Sequence, residues 1–426
     1  MPRSIRLPQL PWHGPRWVDF GLPDGWVVET CNIAGHDRPP MSDAQIEAAI
    51  NSPIGSPRLR DVARGKSEVV VLFDDMTRPT RVARIVPFIL DELASAGIGD
   101  SSVRFIVAAS CHGALTRIDF AKKLGEAVLA RFPVYNHNPY ENCTFVGTTS
   151  YGTRVLINSE VMDCDLKIAI GSTYPHLLVT YGGGGKMLLP GVAHIDAIHA
   201  NHLLGTKGQG SRVKGQGAHI HANHLLGAEF SAKSTSQTNP ARVEIDEAAR
   251  MVGLDFLVDN LVNCTGDSVA MYAGALEPAH TACVEEASAH YLAPKARDKD
   301  IVIANAFAKA SESVIGLNTA VSLKDAGGDL VLIANAPEGQ VVHYLIGSFG
   351  RGLGNRLGMR FPVPPKVRRL IVYSEYPDLA GTGPFDDPSR VVMLDNWDRV
   401  IEVLRESYGD NAAVAVYPSA DIHYLG

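Results

Sequence analysis

At 426 residues the chain is longer than one hydrophobic core ordinarily serves, so two domains of roughly 150 to 250 residues each are expected. With 46% hydrophobic and 20% charged residues the composition is that of an ordered globular protein, and no stretch approaches the ~20 apolar residues of a membrane helix. A net charge of -7 without a long Lys/Arg block disfavours nucleic acid as a partner and favours a small molecule.

The first strong strand signal is Glu68–Phe73, an apolar run that ends in Asp74-Asp75-Met76-Thr77-Arg78-Pro79-Thr80. A helical pattern follows over Val82–Ala96, interrupted by Pro87 and closed by Gly97. The step repeats: a strand over Val103–Ala109 runs into Ser110-Cys111-His112-Gly113, and Asp119–Phe132 has helical spacing. A third strand, Leu166–Ile170, leads to Gly171-Ser-Thr-Tyr-Pro-His176 and then to a glycine loop, with helix again from Asp196. A linking helix is predicted between Glu277 and Tyr291. New strands begin at Ile301, Leu330, Leu370 and Ala413, with a helix over Trp397–Leu404.

Together these predict an α/β protein of two domains with largely parallel sheets and an active-site cleft between them. The expected division is a cofactor-binding domain over residues 1–275, a linker over 276–297 and a smaller domain over 298–426, whose last residues have the option of returning to the first domain. Ile198-His-Ala-Asn-His-Leu-Leu-Gly205 recurs letter for letter as Ile220-His-Ala-Asn-His-Leu-Leu-Gly227. Two copies are too few for a solenoid, so residues 203–224 read as a local duplication forming a Gly/His-rich loop.

Polar residues gather just after strand ends, where open α/β sheets bind ligands. Arg78 offers a planar fork for a carboxylate, and Asp75 can orient a neighbouring base; the same segment also suits a plain helix cap with a surface arginine. His112 and His176 each follow a strand end. Two imidazoles facing one carbon can alternate as acid and base, although each alone is as readily a structural histidine. Tyr181-Gly-Gly-Gly-Gly-Lys186-Met187 fails as a nucleotide-triphosphate loop, because Met187 replaces Ser/Thr and Thr180 replaces the first glycine. What remains is a side-chain-free backbone at Gly184 and Gly185 beside a lysine suited to covalent attachment, or a flexible turn. Six histidines (194, 199, 202, 219, 221 and 224) crowd into 31 residues, but the duplication supplies part of that cluster. The six cysteines are scattered, with no C-x-x-C pair, and the first residues carry no export signal, so a cytoplasmic location is expected.

Taken jointly, Asp75-x-Thr77-Arg78-Pro79, His112, Pro175-His176, Gly185-Lys186, Leu189-Pro190-Gly191 and Ala200-Asn201-His202 resemble the nickel-pincer lactate racemase family. Lys186 and His202 stand 10 and 26 residues after His176, as in that family, and Asn239-Pro240 and Glu244–Ala249 extend the likeness to about Asn263. The resemblance implies a racemase or epimerase of a 2-hydroxy acid. It works by reversible hydride transfer through a 2-keto acid to a pyridinium-3-thioamide-5-thiocarboxylic acid mononucleotide, held covalently on Lys186 and carrying nickel. His112 and His176 would be the acid–base pair. Asp75, Thr77, Gly184 and Gly185 would support the cofactor, Arg78 would bind substrate, and His202, or His224 from the second repeat, would ligate the metal. Cofactor-maturation enzymes are implied as partners, with neither nucleic acid nor membrane involved. Where the lactate enzymes place Tyr-Gln-x-x-Lys, this chain has Ser311-Glu312-Ser313-Val314-Ile315 with Lys309 upstream. Glu312 would repel a second carboxylate unless Lys309 neutralises it, which predicts a substrate other than lactate. Two alternatives stand beside this reading: a sugar-acid C2 epimerase or isomerase of the same family, and a His-rich nickel- or zinc-binding protein without catalysis.

Overall fold

The computed structural model describes residues 3–207, 238–346 and 360–426. Of these, residues 37–207 and 238–289 form one unit, and residues 3–36, 290–346 and 360–426 form another.

In the first unit every residue of Val69–Asp74 is buried, as a strand covered by helices on both faces requires. It pairs in parallel with Val103–Ala108 on one side and Leu166–Ser172 on the other. The six-stranded sheet runs Ser268–Gly274, Phe256–Val262, Leu166–Ser172, Val69–Asp74, Val103–Ala108, Val134–Asn136. Only the Ser268–Gly274 edge is antiparallel. From Val69–Asp74 the chain winds outward through Val103–Ala108 to Val134–Asn136, then returns to the opposite side at Leu166–Ser172. The order therefore reverses between Val69–Asp74 and Leu166–Ser172, and the carboxyl ends flanking such a reversal form the ligand crevice of open α/β sheets.

The helices depart locally from the sequence pattern for identifiable reasons. Pro87 starts a helix rather than interrupting one: Val82–Arg84 forms a short 3-10 turn, and Val86–Ser95 follows with Pro87 in its first turn, where a missing N–H costs nothing. The stretch predicted as one helix over Asp119–Phe132 is two, Arg117–Leu124 and Glu126–Arg131, because Gly125 sits between them at φ +85. Helix Pro240–Val252 is capped by the Asn239 side chain, which accepts from the amides of Ala241 and Arg242.

The second unit holds a six-stranded, wholly parallel sheet: Val391–Leu394, Val367–Tyr373, Gly328–Ile333, Ile301–Asn305, Ala413–Tyr417, Val27–Thr30. The N-terminal strands of this unit were not predicted: Val27–Thr30 is four mostly exposed residues, and the separate hairpin Arg3–Gln9/Arg16–Leu22 was missed although Ile5/Leu7 and Val18/Phe20/Leu22 alternate with polar residues or glycine. The α/β class with largely parallel sheets is thus what both units display.

Candidate active site

The site is built at the carboxyl ends of the three central strands of the first unit. Beyond Val69–Asp74 the backbone turns through Asp75-Met76-Thr77-Arg78, and Arg78 is the only residue from 69 to 80 that is not buried. This turn rests on Lys123, a fully buried lysine whose Nζ donates to Asp74 Oδ1 at 2.6 Å, to the Arg78 carbonyl at 2.9 Å and to the Thr80 carbonyl at 3.3 Å. An ammonium taken so far from water is tolerable only with such a set of acceptors.

Asp75 is buried and serves two neighbours. Its Oδ1 accepts from the Thr77 amide at 2.9 Å and the Thr77 hydroxyl at 2.5 Å, and its Oδ2 lies 2.5 Å from His112 Nδ1. Burial alone would raise its pKa, but the His112 charge and hydrogen bond, with Arg78 and Thr77, hold its carboxyl well below the usual range. A carboxylate facing Nδ1 fixes the proton there and puts the lone pair of a neutral His112 on Nε2. The Arg78 guanidinium bonds the Thr77 hydroxyl and lies 5.7 Å from the centre of the Tyr174 ring, so its plane is held by stacking as well as by hydrogen bonding.

His176 follows Leu166–Ser172 on a different support. Pro175-His176 pairs with Thr180-Tyr181 in a minimal hairpin, and the Leu178 amide donates to His176 Nδ1 at 3.2 Å. A backbone donor at Nδ1 requires its lone pair, so the proton of a neutral His176 lies on Nε2. From Leu178 to Ala193, Lys186 is the single residue not fully buried. The glycines before it are packed against protein: a Cβ on Gly183 would lie 2.2 Å from Thr173 Oγ1, on Gly184 2.6 Å from Arg242, and on Gly185 3.0 Å from Ala249. Their lack of side chains therefore seats the loop on its own scaffold.

His202 is carried by helix Ile195–Lys207, and its Nδ1 donates to the Ile198 carbonyl at 2.9 Å, which puts the lone pair of the neutral ring on Nε2. Burial first, and then the charges of Lys186 and His112, push its pKa down to about 3, so the imidazole is neutral, as a metal ligand must be. Asn201 fastens this helix to Pro240–Val252 by donating to the Ala241 carbonyl at 3.0 Å and to Glu244 Oε2 at 2.9 Å. His224 lies outside the described residues, as does most of the duplicated loop. Among the described residues no three His, Cys, Asp or Glu side chains gather to hold a metal ion.

The structure thus brings Asp75, Thr77, Arg78, His112, Lys186 and His202 into electrostatic or hydrogen-bonding reach of one another, with His176 at the neighbouring strand end. Lys309 and Glu312 belong to the other unit, where they form an ion pair with each other. The Ala308 and Lys309 amides donate to buried Asp421, whose pKa burial raises to about 6. Sequence reasoning missed Lys123, Tyr174, Arg242, Asp259 and His280. One signal was available: Asp259 interrupts the apolar run Phe256–Val262, and a charged residue inside a buried strand calls for a partner.

Comparison with known proteins points one way. Residues 13–214 match the family described as the lactate racemase N-terminal domain. The chain is 26% identical over 345 residues to a lactate racemase from Thermoanaerobacterium thermosaccharolyticum, covering 79% of this chain and 75% of that protein. It is also 26% identical over 306 residues to a lactate racemase from Lactiplantibacillus plantarum, covering 69% and 66%. In fold it is similar to the lactate racemase apoprotein from T. thermosaccharolyticum, with a TM-score of 0.69 at 21% identity over the whole of both chains. A protein from Thermotoga maritima follows, with a TM-score of 0.62 at 16% identity over 91% of this chain and 99% of that one.

Proposed function

We propose that the chain is a lactate racemase family member and, from that premise, an isomerase that inverts C2 of a 2-hydroxy acid, using the nickel-pincer nucleotide carried on Lys186. The observation that carries this reading is the Asp75–His112 contact at 2.5 Å, which holds one imidazole as a base beside a half-buried lysine and a neutral histidine.

The residues fit the group. Lys186 supplies the amine for a thioamide link, and His202 Nε2 supplies one imidazole ligand. Its partner Asn201 is locked to Ala241 and Glu244, which favours His202 over His224 as that ligand. When bound, the group supplies reversible acceptance of the C2 hydride, chemistry that no side chain here offers.

Everything else falls to the protein. Arg78, fixed against Tyr174 and Thr77, binds the substrate carboxylate. His112 Nε2 takes the hydroxyl proton as C2 becomes planar, and Asp75 stabilises the imidazolium that results. His176, at its own strand end, delivers a proton to the same oxygen when the opposite enantiomer forms, for which it must enter the step as an imidazolium and leave it as a neutral base. Either role needs a proton on Nδ1, so Nδ1 must give up the Leu178 amide. The Lys309–Glu312 pair removes the repulsion expected from Glu312, so the case for a larger or sugar-derived 2-hydroxy acid over lactate, including C2 epimerisation of a sugar acid, rests on Ile315 standing where the lactate enzymes place a lysine.

The test is intact mass and metal analysis on protein co-produced with the cofactor pathway, followed by chirally resolved product analysis over lactate, longer 2-hydroxy acids and sugar acids. The expected result is one adduct on Lys186, one nickel per chain and equilibration of C2 in at least one non-lactate acid. Protein that stays unmodified at Lys186 overturns the reading.

A further inference from the structure

The mechanism above makes no use of a second cluster of buried charge beneath the glycine loop. Asp259, from strand Phe256–Val262, is wholly buried, and its Oδ2 accepts from the Gly184 amide at 2.9 Å, the Thr173 hydroxyl at 3.1 Å and His280 Nδ1 at 2.7 Å. Arg242, from helix Pro240–Val252, is also wholly buried; its Nη1 donates to the Gly183 carbonyl at 3.0 Å, and its Nε and Nη2 hold Asp246. The Gly183 carbonyl is in turn the acceptor of the Lys186 amide at 3.3 Å, and the Gly191 amide closes onto the Lys186 carbonyl at 2.9 Å. A single shared carbonyl, that of Gly183, therefore links the Lys186 amide to Arg242.

The steric record agrees. Gly183 and Gly184 stand at φ +73 and +59, and a Cβ on the first would lie 2.8 Å from Asp259, on the second 2.8 Å from the His280 ring. Glycine takes up such left-handed backbone without strain but is not held in it by its own sterics, so the loop is fixed by what it packs against, and here that support is charged and buried. It is retained although Asp259 Oδ1 and His280 Nε2 are buried with no hydrogen-bond partner among the described residues, an arrangement that an apolar support would avoid. Burial and the nearby Arg242 charge push the His280 pKa down against the opposing pull of Asp259, whose carboxylate can accept only from an Nδ1–H.

We propose that Asp259, His280 and Arg242 are positioning residues that set the Gly183–Lys186 backbone and so present the Lys186 amine for covalent modification. The proposal rests on the reading of Lys186 given above. Its loss should show as failure to acquire the adduct in a chain that still folds.

The experiment compares wild type, D259N, H280A, H280N and G184A as full-length chains. H280N keeps a donor near the position of Nδ1, whereas G184A drives a Cβ into Arg242 and His280 without altering any charge. Adduct occupancy at Lys186 after co-production should fall about 10- to 100-fold in D259N, H280A and G184A, and should recover in H280N. In parallel, competitive labelling of the unloaded proteins with trace acetic anhydride reads the Lys186 amine directly, with Lys66 as an internal reference. The Lys186 rate should change in the same three variants and the Lys66 rate should not. Melting temperatures identify any variant that simply fails to fold, and G184A keeps the test alive if the charge variants do. Full loading and unchanged Lys186 labelling in folded D259N, H280A or G184A overturn the proposal. If wild type itself takes no adduct, the functional reading fails, while the labelling comparison still decides whether the cluster positions Lys186.

Discussion

His112 and His176 leave neighbouring regions of one sheet and are braced by opposite means. His112 has a buried carboxylate at Nδ1, itself pinned by the Thr77 amide and hydroxyl. His176 has a backbone amide at Nδ1, delivered by its own hairpin. The first brace stabilises an imidazolium and the second opposes one, because a protonated Nδ1 would face the Leu178 N–H. A two-base inverting site need not be symmetric. In the resting protein the two neutral tautomers are opposite, so under the proposed mechanism His112 is ready as a base, whereas His176 must break its Leu178 contact and take up a proton before it can act as an acid.

The largest effect expected from breaking this contrast is at Asp75. D75N removes the charge and leaves Asn free to accept from His112 or to turn its amide towards it, and kcat/KM should drop by about 10²- to 10⁴-fold. A loss under tenfold, measured by chiral product analysis, would make the two braces equivalent after all. The same variant carries a stability signature. Because the folded Asp75 pKa is depressed, its contribution is present above the unfolded value of about 3.9 and disappears only as pH falls through the lower folded value. Melting curves of wild type and D75N should therefore differ at neutral pH and converge only in strong acid.

A smaller effect is expected one bond further out. T77V deletes the hydroxyl that bridges Asp75 and Arg78, and kcat/KM should fall about tenfold, the scale of one hydrogen bond to a charged group. A fall as deep as that of D75N would mean that Thr77 acts on substrate rather than through Asp75. The finest comparison changes no residue. Two-bond 15N spectra of His-labelled protein, assigned with H112Q and H176Q, should show the proton of neutral His112 on Nδ1 and that of neutral His176 on Nε2. The same tautomer at both positions would remove the asymmetry.

Much of this was legible in the sequence because the decisive residues lie just beyond strongly apolar strands. Val-Val-Val-Leu-Phe before Asp74-Asp75 has no reading other than a buried strand with a polar turn at its end, and Val103–Ala108 before His112 reads the same way. Helix boundaries were less legible, since Pro87 and Gly125 have local meanings that periodicity does not convey. The supports were least legible of all. Arg242, Asp259 and His280 come from three elements between 56 and 94 residues after Lys186, and only the fold makes them neighbours of Gly183 and Gly184. The glycine loop is instructive here: its composition suggested room for a ligand, whereas the missing Cβ atoms of Gly183, Gly184 and Gly185 are accounted for by protein atoms.

Lys123 carries a consequence for how this region can move. Its ammonium is closed in by Asp74 and by the carbonyls of Arg78 and Thr80, so peeling back the Asp75–Arg78 turn would strand a charge in apolar surroundings. Partial opening is thereby made nearly as unfavourable as complete unfolding, which couples the turn to the cooperative core beneath it. The Asp75–Arg78 turn should accordingly exchange its amide protons as slowly as the strand it grows from, an unusual rank for a loop.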